Sequence, residues 1–475
     1  MSAASDVAFP DYDVSAVNVG VAHMGLGAFH RAHQASYFDT LLSRWPRYGV
    51  CATSLHSSTA TRALKNQGQR YCLAILDAQP RYRVIGAIRE AIDPGDRAFV
   101  RRVADPMTHL VTLTVTEKGY CLGSDGALDF DHPDIRHDLA RAERARSAIG
   151  LLASALDARR RSGAGGLAVV SCDNLSGNGE RLSAAVAAFA QELDPDLAHW
   201  VRDEISFPNS MVDSITPASD AELHARASNV CGFDDACAVQ REPFAAWVID
   251  AELQATHAEL EHAGVVFSGD VGAHERAKLR MLNGAHSTLA YVGLACGLET
   301  VADAMRQPAL AAFIDDMMRL EIGPGVTAPD IDVDAYRRAL LSRFSNPSVR
   351  HLLTQIAIDG SQKLPIRLLR TIEENLRSGR PIARLCIGIA AWMRFVVRSQ
   401  RRGANLADPR AAELSAMAKQ TTDAAERDVP RFLAVETMFG ADLGSNPAFA
   451  VSVQGAYATI LEVERKGASA LNSVD

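Results

Sequence analysis

The feature that most constrains the fold is an alternation of short apolar runs with helix-like segments in the first half of the chain. The apolar runs occupy residues 17–24, 49–55, 84–88, 110–116 and 166–172. Amphipathic stretches over residues 31–42 and 147–161 lie between them. Such an alternation is typical of βαβ units, whose mostly parallel sheet is covered by helices on both faces.

The second half of the chain has a different pattern. From about residue 271 the apolar residues recur at helical spacing, and β-branched runs become rare. Long helices are predicted over residues 273–297 and 349–359. The length of 475 residues allows two or more domains. We predict an α/β fold with a parallel-sheet domain over residues 1–270 and a mostly α-helical domain over residues 271–475.

A glycine-containing turn joins the first predicted strand to the first predicted helix. Gly25 and Gly27 frame this turn, and His30 stands where a dinucleotide-binding fingerprint has its third glycine. Glycines at such a turn let backbone N–H groups approach a pyrophosphate, and the start of the helix adds partial positive charge. A plain turn is an equally good interpretation of this segment alone, and Arg31 is either a phosphate ligand or a solvated surface residue.

The end of the second predicted strand carries no acidic side chain. Residues 53–58 are Thr, Ser, Leu, His, Ser and Ser. An NAD site normally has an Asp or Glu at this point, which binds the ribose 2′-hydroxyl. The choice between NAD and NADP therefore stays open.

Two further segments of the first half carry candidate functional groups. Asn174 follows the strand over residues 166–172, at the sheet edge where ligands of open α/β sheets bind. Its amide can donate and accept hydrogen bonds, although a turn or a helix cap is the alternative interpretation of Asp173 and Asn174. The irregular segment over residues 207–217 includes Asp213 and is bracketed by two prolines, and segments of this kind are often functional.

Four polar residues of the predicted helix over residues 273–297 fall on one arc. At ~100° per residue, Glu275 lies near ~60°, His286 near ~80° and Asn283 near ~140° from Lys278. A solvated helix face is the alternative interpretation, but the continuation over residues 287–298 is almost wholly apolar, so the helix runs into a core. A lysine near buried surface has a lowered pKa and can act as a general base. Glu275 can pair with this lysine or pass its proton to solvent.

Several classes of protein do not fit the sequence. The net charge of −8 argues against a nucleic-acid-binding protein, which usually needs a basic surface patch. The apolar stretches are too short to span a bilayer, and the N-terminus lacks the pattern of a signal peptide, so we expect a cytoplasmic protein without a membrane partner. The sequence contains no CxxC, HExxH, GxSxG or Tyr-x-x-x-Lys motif, and we expect no metal site.

A series of motifs in chain order resembles the long-chain polyol dehydrogenases, a family that includes mannitol 2-dehydrogenase, arabinitol dehydrogenase and mannonate oxidoreductase. The motifs lie at residues 25–35, 114–120, 171–174, 207–217, 242–244, 247–249, 278–286, 343–347 and 359–365. The resemblance covers nearly the whole chain. It implies a Rossmann-type first domain, a helical second domain, an active site between them, and NAD as coenzyme, with NADP not excluded.

The same resemblance implies roles for individual residues. Lys278 would be the general base, Asn174 and Asn283 would hold the reacting oxygen, and His286 would bind substrate hydroxyls. Contacts with the coenzyme are expected within these motifs from Gly25, Gly27, Ala28, Phe29, Arg31, Thr116, Glu117 and Asp213.

Several motifs are most similar to those of the mannonate oxidoreductase branch, which implies NAD-dependent interconversion of D-mannonate and D-fructuronate. A sugar acid needs a cation for its carboxylate. The candidate cations are Lys118, Arg350, Lys363 and Arg367. The chain departs from the pattern at Ser214, where the family usually has Arg, and at Leu352, where this branch often has Arg.

Two alternatives remain at this point. Within the family, the substrate can be a neutral polyol such as mannitol or arabinitol. An alternative of another class is a catalytically silent nucleotide-binding sensor, which would not need to retain a base such as Lys278. In the enzyme interpretation we expect a small-molecule substrate and either a monomer or a small homo-oligomer.

Overall fold

The computed structural model describes residues 7–327 and 330–474. The chain divides into two compact units, Met1–Gly272 and Ala273–Asp475. Within the described residues, all strands belong to the first unit, and the second unit is built from helices. The strands are β1 (Val7–Ala8), β2 (Val19–Met24), β3 (Gly49–Thr53), β4 (Tyr71–Ile75), β5 (Arg81–Ile85), β6 (Ile88–Ile92), β7 (Leu110–Leu113), β8 (Leu167–Ser171), β9 (Ile205–Ser206), β10 (Ser210–Asp213), β11 (Val239–Arg241), β12 (Ala246–Asp250) and β13 (Val265–Ser268).

The main sheet of the first unit has six parallel strands in the order β6-β3-β2-β7-β8-β9. The chain adds strands outward from β2 in one direction and then, starting with β7, in the other, which is the Rossmann order. Neighbouring residues of β2 face opposite sides of the sheet, since Val21 and Ala22 belong to separate buried apolar clusters. The structure thus confirms the predicted parallel sheet with both faces covered.

Two smaller mixed sheets complete the first unit. One has the order β1-β5-β4-β11, and the other has the order β10-β12-β13. The prediction of one strand over residues 84–88 is wrong, because β5 ends at Ile85 in the four-stranded sheet and β6 begins at Ile88 in the six-stranded sheet. Gly86 lies at this change of sheet, where a Cβ would stand only 2.8 Å from the Tyr12 hydroxyl.

Within residues 7–270, ten α-helices connect the strands and cover the sheets of the first unit. They are α1 (Ala28–Ala32), α2 (Gln34–Leu41), α3 (Thr59–Asn66), α4 (Ala98–Val103), α5 (Pro133–Ala140), α6 (Ala148–Ser162), α7 (Asn178–Leu193), α8 (Pro195–Glu204), α9 (Ala221–Cys231) and α10 (Gln254–His257).

The second unit is helical, as predicted. Its α-helices, the first of which begins just before the boundary, are α11 (Val271–Ala277), α12 (Gly284–Ala295), α13 (Val301–Met305), α14 (Pro308–Asp316), α15 (Val333–Phe344), α16 (Leu353–Ile356), α17 (Gly360–Leu364), α18 (Arg370–Arg377), α19 (Ala383–Arg401), α20 (Ala411–Ala418), α21 (Ala425–Leu433), α22 (Glu436–Gly444) and α23 (Pro447–Lys466). Three segments have π-helical geometry, namely π1 (Lys278–Asn283), π2 (Met317–Ile322) and π3 (Pro365–Leu369).

The helix α19 forms the centre of the second unit and packs against both α12 and α23. Its side chain Trp392 is only 1% exposed. A Cβ at Gly388 would lie 2.6 Å from the Thr288 hydroxyl oxygen, so glycine permits the close approach of α19 to α12. Among the described residues, no helix has both the length and the apolar character that crossing a membrane requires.

Two predicted helices of the second unit differ from the observed ones. The segment over residues 273–297 is not one regular α-helix, because π1 separates α11 from α12. Of residues 349–359, only Leu353–Ile356 is helical. The preceding Leu352 forms a β-bridge with Thr300, and Asp359 has a left-handed backbone with a φ of 57°, so the chain is extended before α16 and turns after it.

Candidate active site

A cleft of about 730 Å³ opens at the carboxyl edge of the six-stranded sheet in the first unit. Its walls include the segments that follow β2, β3 and β7. Rossmann folds bind dinucleotides at this edge, where the strand order changes direction. Of the predicted coenzyme and substrate residues, the cleft brings together Gly25, Gly27, Arg31, Thr116 and Lys118.

The two glycines of the turn serve different purposes. Gly25 has a φ of 103°, and a Cβ there would lie 2.0 Å from the carbonyl oxygen of Thr114, so the folded chain requires glycine. A Cβ at Gly27 would meet only the Gly25 carbonyl oxygen, at 3.8 Å. The protein therefore leaves open space at Gly27, where a pyrophosphate can approach the N–H groups at the start of α1.

The buried side chain of His23 hydrogen bonds to the glycine turn. Its Nε2 lies 3.0 Å from the Gly25 carbonyl oxygen and 3.0 Å from Thr114 Oγ1, and its Nδ1 lies 2.7 Å from Thr112 Oγ1. Because a carbonyl oxygen only accepts, Nε2 carries the proton and Nδ1 accepts from Thr112. Burial lowers the pKa of His23 to about 3, so the ring stays neutral and keeps this arrangement. The sequence analysis missed this role, although a histidine inside an apolar strand was a visible signal.

Asp173 fixes the segment after β7, which lines the cleft. Its carboxylate accepts hydrogen bonds from the backbone N–H groups of Val115 and Thr116, at 3.0 and 2.8 Å, and from the Tyr120 hydroxyl at 2.7 Å. Thr116 has a φ of 67° and a ψ of 162°, a conformation that is nearly restricted to glycine. Asp173 thus stabilises a strained residue that lines the cleft, while the adjacent Asn174 is exposed.

The other predicted coenzyme residues lie at different places in the first unit. Arg31 donates to the carbonyl oxygens of Gly27 and Cys237, both of which line the cleft. Ala28 and Phe29 form the first turn of α1, and Glu117 is exposed at the start of a short 3₁₀ turn. Asp213 is the buried last residue of β10, in the three-stranded sheet.

The end of β3 contributes short polar side chains to the cleft. The lining residues from this segment are Ser54, Leu55, His56 and Ser57. Ser57 and Thr59 hydrogen bond to each other through their hydroxyl groups, at 3.1 Å. These hydroxyl and imidazole groups occupy the place where Rossmann folds select the ribose 2′-substituent.

The second unit holds the predicted catalytic residues of the helix over residues 273–297. Glu275 is in the last turns of α11, Lys278 opens π1, and Asn283 closes it. The α-helical arithmetic that separated Asn283 from Lys278 by ~140° does not apply here, because a π-helix bonds residue i to residue i+5. Consistent with this pattern, the N–H of Gly284 donates to the carbonyl oxygen of Leu279.

His286 lies one turn beyond π1 in a mostly enclosed setting. It is 7% exposed, its ring centroid is 4.6 Å from that of Phe344, and the His351 ring is 5.1 Å away at 89°. Burial, followed by the charges of His351, Arg343 and Arg367, holds the pKa of His286 well below its usual range. The ring is therefore neutral and can donate a hydrogen bond from one nitrogen while accepting at the other.

The predicted carboxylate-binding cations differ in their local surroundings. Lys363 and Arg367 lie within electrostatic reach of each other, burial lowers the pKa of both, and Arg367 donates to the Ser287 hydroxyl at 3.1 Å. Arg350 instead is exposed and forms an ion pair with Glu299. Lys118 is in the first unit, where it lines the nucleotide cleft. Over residues 7–327 and 330–474, no group of three His, Cys, Asp or Glu side chains is arranged to hold a metal ion.

Comparison with family models matches both units. Residues 19–262 match the mannitol dehydrogenase Rossmann domain, and residues 270–461 match the mannitol dehydrogenase C-terminal domain. The chain belongs to the mannitol dehydrogenase family. The predicted resemblance and the prediction of an oxidoreductase are thereby confirmed.

Relatives of this mannitol dehydrogenase family member span nearly its full length. D-mannonate oxidoreductase of Escherichia coli K12 is 39% identical, over 96% of each chain. Mannitol 2-dehydrogenase of Cereibacter sphaeroides is 34% identical, over 97% of each chain. The mannitol dehydrogenase family fold is thus shared with relatives whose names indicate different substrates.

Solved structures agree with the family membership. A D-sorbitol dehydrogenase in substrate-free form superimposes with a TM-score of 0.89, at 29% identity, covering 98% of this chain and 97% of the other. The ternary complex of Pseudomonas fluorescens mannitol 2-dehydrogenase with NAD and D-mannitol has a TM-score of 0.80, at 32% identity, covering 98% and 96%. These comparisons support a nicotinamide coenzyme for the family's Rossmann domain.

Proposed function

We propose that this protein is an NAD-dependent oxidoreductase that interconverts D-mannonate and D-fructuronate. The observation that carries the proposal is a pair of partly buried cations, Lys363 and Arg367, of which Arg367 donates at 3.1 Å to the hydroxyl of Ser287, the residue after His286. A cation held in a poorly hydrated site binds a carboxylate more strongly than one on the surface. The higher identity to the D-mannonate oxidoreductase than to the mannitol 2-dehydrogenases supports the same substrate class.

In the proposed reaction the protein supplies a base, hydrogen-bond donors and a cationic anchor. The chemistry that bound NAD would supply is a hydride acceptor for the hydroxyl-bearing carbon of the sugar acid. Neutral Lys278 removes the hydroxyl proton in the oxidation direction and returns it during reduction. Asn174 and Asn283 donate to the reacting oxygen as its charge develops, and Glu275 exchanges the proton of Lys278 with solvent.

Binding of the remaining substrate groups follows from the same side chains. The neutral ring of His286 binds substrate hydroxyls, and Lys363 and Arg367 bind the carboxylate. Lys118 is a further candidate for the carboxylate, from the segment after β7. The coenzyme binds in the cleft of the first unit, where Gly27 leaves room for its pyrophosphate.

The deciding experiment is NADH oxidation, followed at 340 nm, with D-fructuronate and D-fructose in parallel and then with NADPH. We expect D-fructuronate to be preferred by a factor of about 10 to 100 for each charge-assisted hydrogen bond to its carboxylate. Lys363→Met should reduce this preference, whereas Arg377→Met, a change at an exposed cation of α18, should leave it unchanged. A preference for D-fructose would instead identify a polyol dehydrogenase.

A further inference from the structure

The π1 segment changes which residues share a side of the helix. In an α-helix, residues five apart are separated by ~140° around the axis. In a π-turn, residue i and residue i+5 lie about one turn apart, so they stand above one another. Lys278 and Asn283 are the first and last residues of π1, five positions apart. The wide turn therefore places the base and the amide of the proposed mechanism on a similar side of the helix.

Single π-turns are rare inside α-helices and are frequent at functional sites. In π1, the side chain of Arg280 is 10% exposed and contacts segments outside its own helix. Its Nη1 and Nη2 atoms each donate to one carboxylate oxygen of Glu374, both at 2.6 Å. Nη1 also lies 3.4 Å from the Gly325 carbonyl oxygen. A bidentate pair of this kind fixes direction as well as distance.

The partner of Arg280 belongs to a second interrupted helix. Glu374 lies on α18, which continues directly from π3. The two interrupted helices also approach closely at Gly284, where a Cβ would lie 3.0 Å from the Arg367 carbonyl oxygen. Thus the two interrupted helices meet at two points. One is the ion pair of Arg280 in π1 with Glu374 in α18, and the other is the close approach of Gly284, at the start of α12, to Arg367 in π3.

We infer that Arg280 and Glu374 are positioning residues that maintain π1 and thereby align Lys278 with Asn283 for catalysis. Neither residue is assigned a contact with the substrate or the coenzyme. The inference rests on the proposed function, because it assigns the base and the oxygen-binding amide to Lys278 and Asn283. A purely structural ion pair is the competing explanation, and it would affect folding without a specific effect on hydride transfer.

The test uses the full-length protein with Arg280→Met, and with Glu374→Gln as a milder second variant. We measure kcat, the KM for NADH, and the primary isotope effect on kcat with NADH deuterated at the transferred position. We expect kcat to fall by about 100-fold, because small misplacement of a catalytic group has effects of this size. The KM for NADH should stay unchanged, and the isotope effect should rise as hydride transfer becomes rate-limiting.

Arg319→Met is the matched control. Arg319 lies in π2, is 50% exposed and pairs with Asp316, so its loss should change none of these quantities. The double variant Arg280→Glu with Glu374→Arg restores the pair in reverse and should recover part of kcat.

Two results would overturn the inference. One is a folded Arg280→Met or Glu374→Gln protein with wild-type kcat. The other is a loss of kcat that only follows the loss of folded protein, with an unchanged isotope effect. Lys278→Ala separates the two proposals. Substantial turnover in that variant would refute the proposed mechanism, whatever the Arg280 and Glu374 variants show.

Discussion

At the scale of single residues, Gly25 and Gly27 allow the coenzyme site to be tested apart from the fold. Gly27→Ala places a methyl group in open space, so the free energy of unfolding should change by no more than about 1 kcal/mol. The same methyl group would obstruct the pyrophosphate, so the dissociation constant for NADH should rise about tenfold or more. NADH titration by fluorescence, with thermal unfolding of the same samples, measures both.

Gly25→Ala provides the contrast, because its Cβ would collide with the Thr114 carbonyl oxygen at 2.0 Å. That variant should be strongly destabilised. Wild-type affinity for NADH in Gly27→Ala would show that this turn does not contact the pyrophosphate.

At the scale of elements, Arg159 links the end of α6 to the end of α4 and to the loop that follows α6. It is 2% exposed and donates to backbone carbonyl oxygens, including those of Val103 at 2.8 Å and Gly165 at 2.6 Å. Arg159→Met would leave several buried acceptors without donors, so we expect a loss of about 2–4 kcal/mol in the free energy of unfolding. Urea unfolding measures this loss.

Arg161 on the same helix is the matched control, because its side chain is 72% exposed and pairs with Asp157. Arg161→Met should cost well under about 1 kcal/mol. Equal losses in the two variants would mean that the carbonyl contacts of Arg159 do not stabilise the end of α6.

At the scale of the whole molecule, buried histidines should make stability depend on pH. Burial lowers the pKa of His109 and of His257 to about 4, and their rings share a hydrogen bond of 3.0 Å. In the unfolded chain these two histidines bind protons near pH 6.5, whereas in the folded protein they bind protons only near pH 4. Stability is therefore fully present above about pH 6.5 and falls as the pH drops to about 4, by up to about 3 kcal/mol per ring.

Urea unfolding at pH 7, 6, 5 and 4.5 measures this dependence. His257→Gln, whose amide does not titrate in this range, should flatten the slope, and His199→Gln at an exposed position should leave the slope unchanged. A wild-type protein with constant stability over this range would contradict the lowered pKa values.

The parallel sheet, the glycine turn after β2 and the family could all be predicted from the residues alone. These features depend on residues that are close together in the chain: alternating strands and helices, and the glycine demanded by a positive φ at Gly25. The sequence also indicated several cleft residues, such as Thr116 and Lys118, because the ends of parallel strands meet at one edge.

The local geometry of the candidate site, by contrast, depends on contacts between distant parts of the chain. The π-turn that begins at Lys278 could not be predicted from α-helical periodicity. Arg280 in this turn pairs with Glu374, which lies 94 residues further along the chain. Asp173 supports Thr116 from the segment after the neighbouring strand β8, and Arg367 donates to Ser287 beside His286, whereas Arg350 pairs with Glu299 at an exposed position. Such contacts depend on distances between remote segments, which a local pattern of residues does not contain.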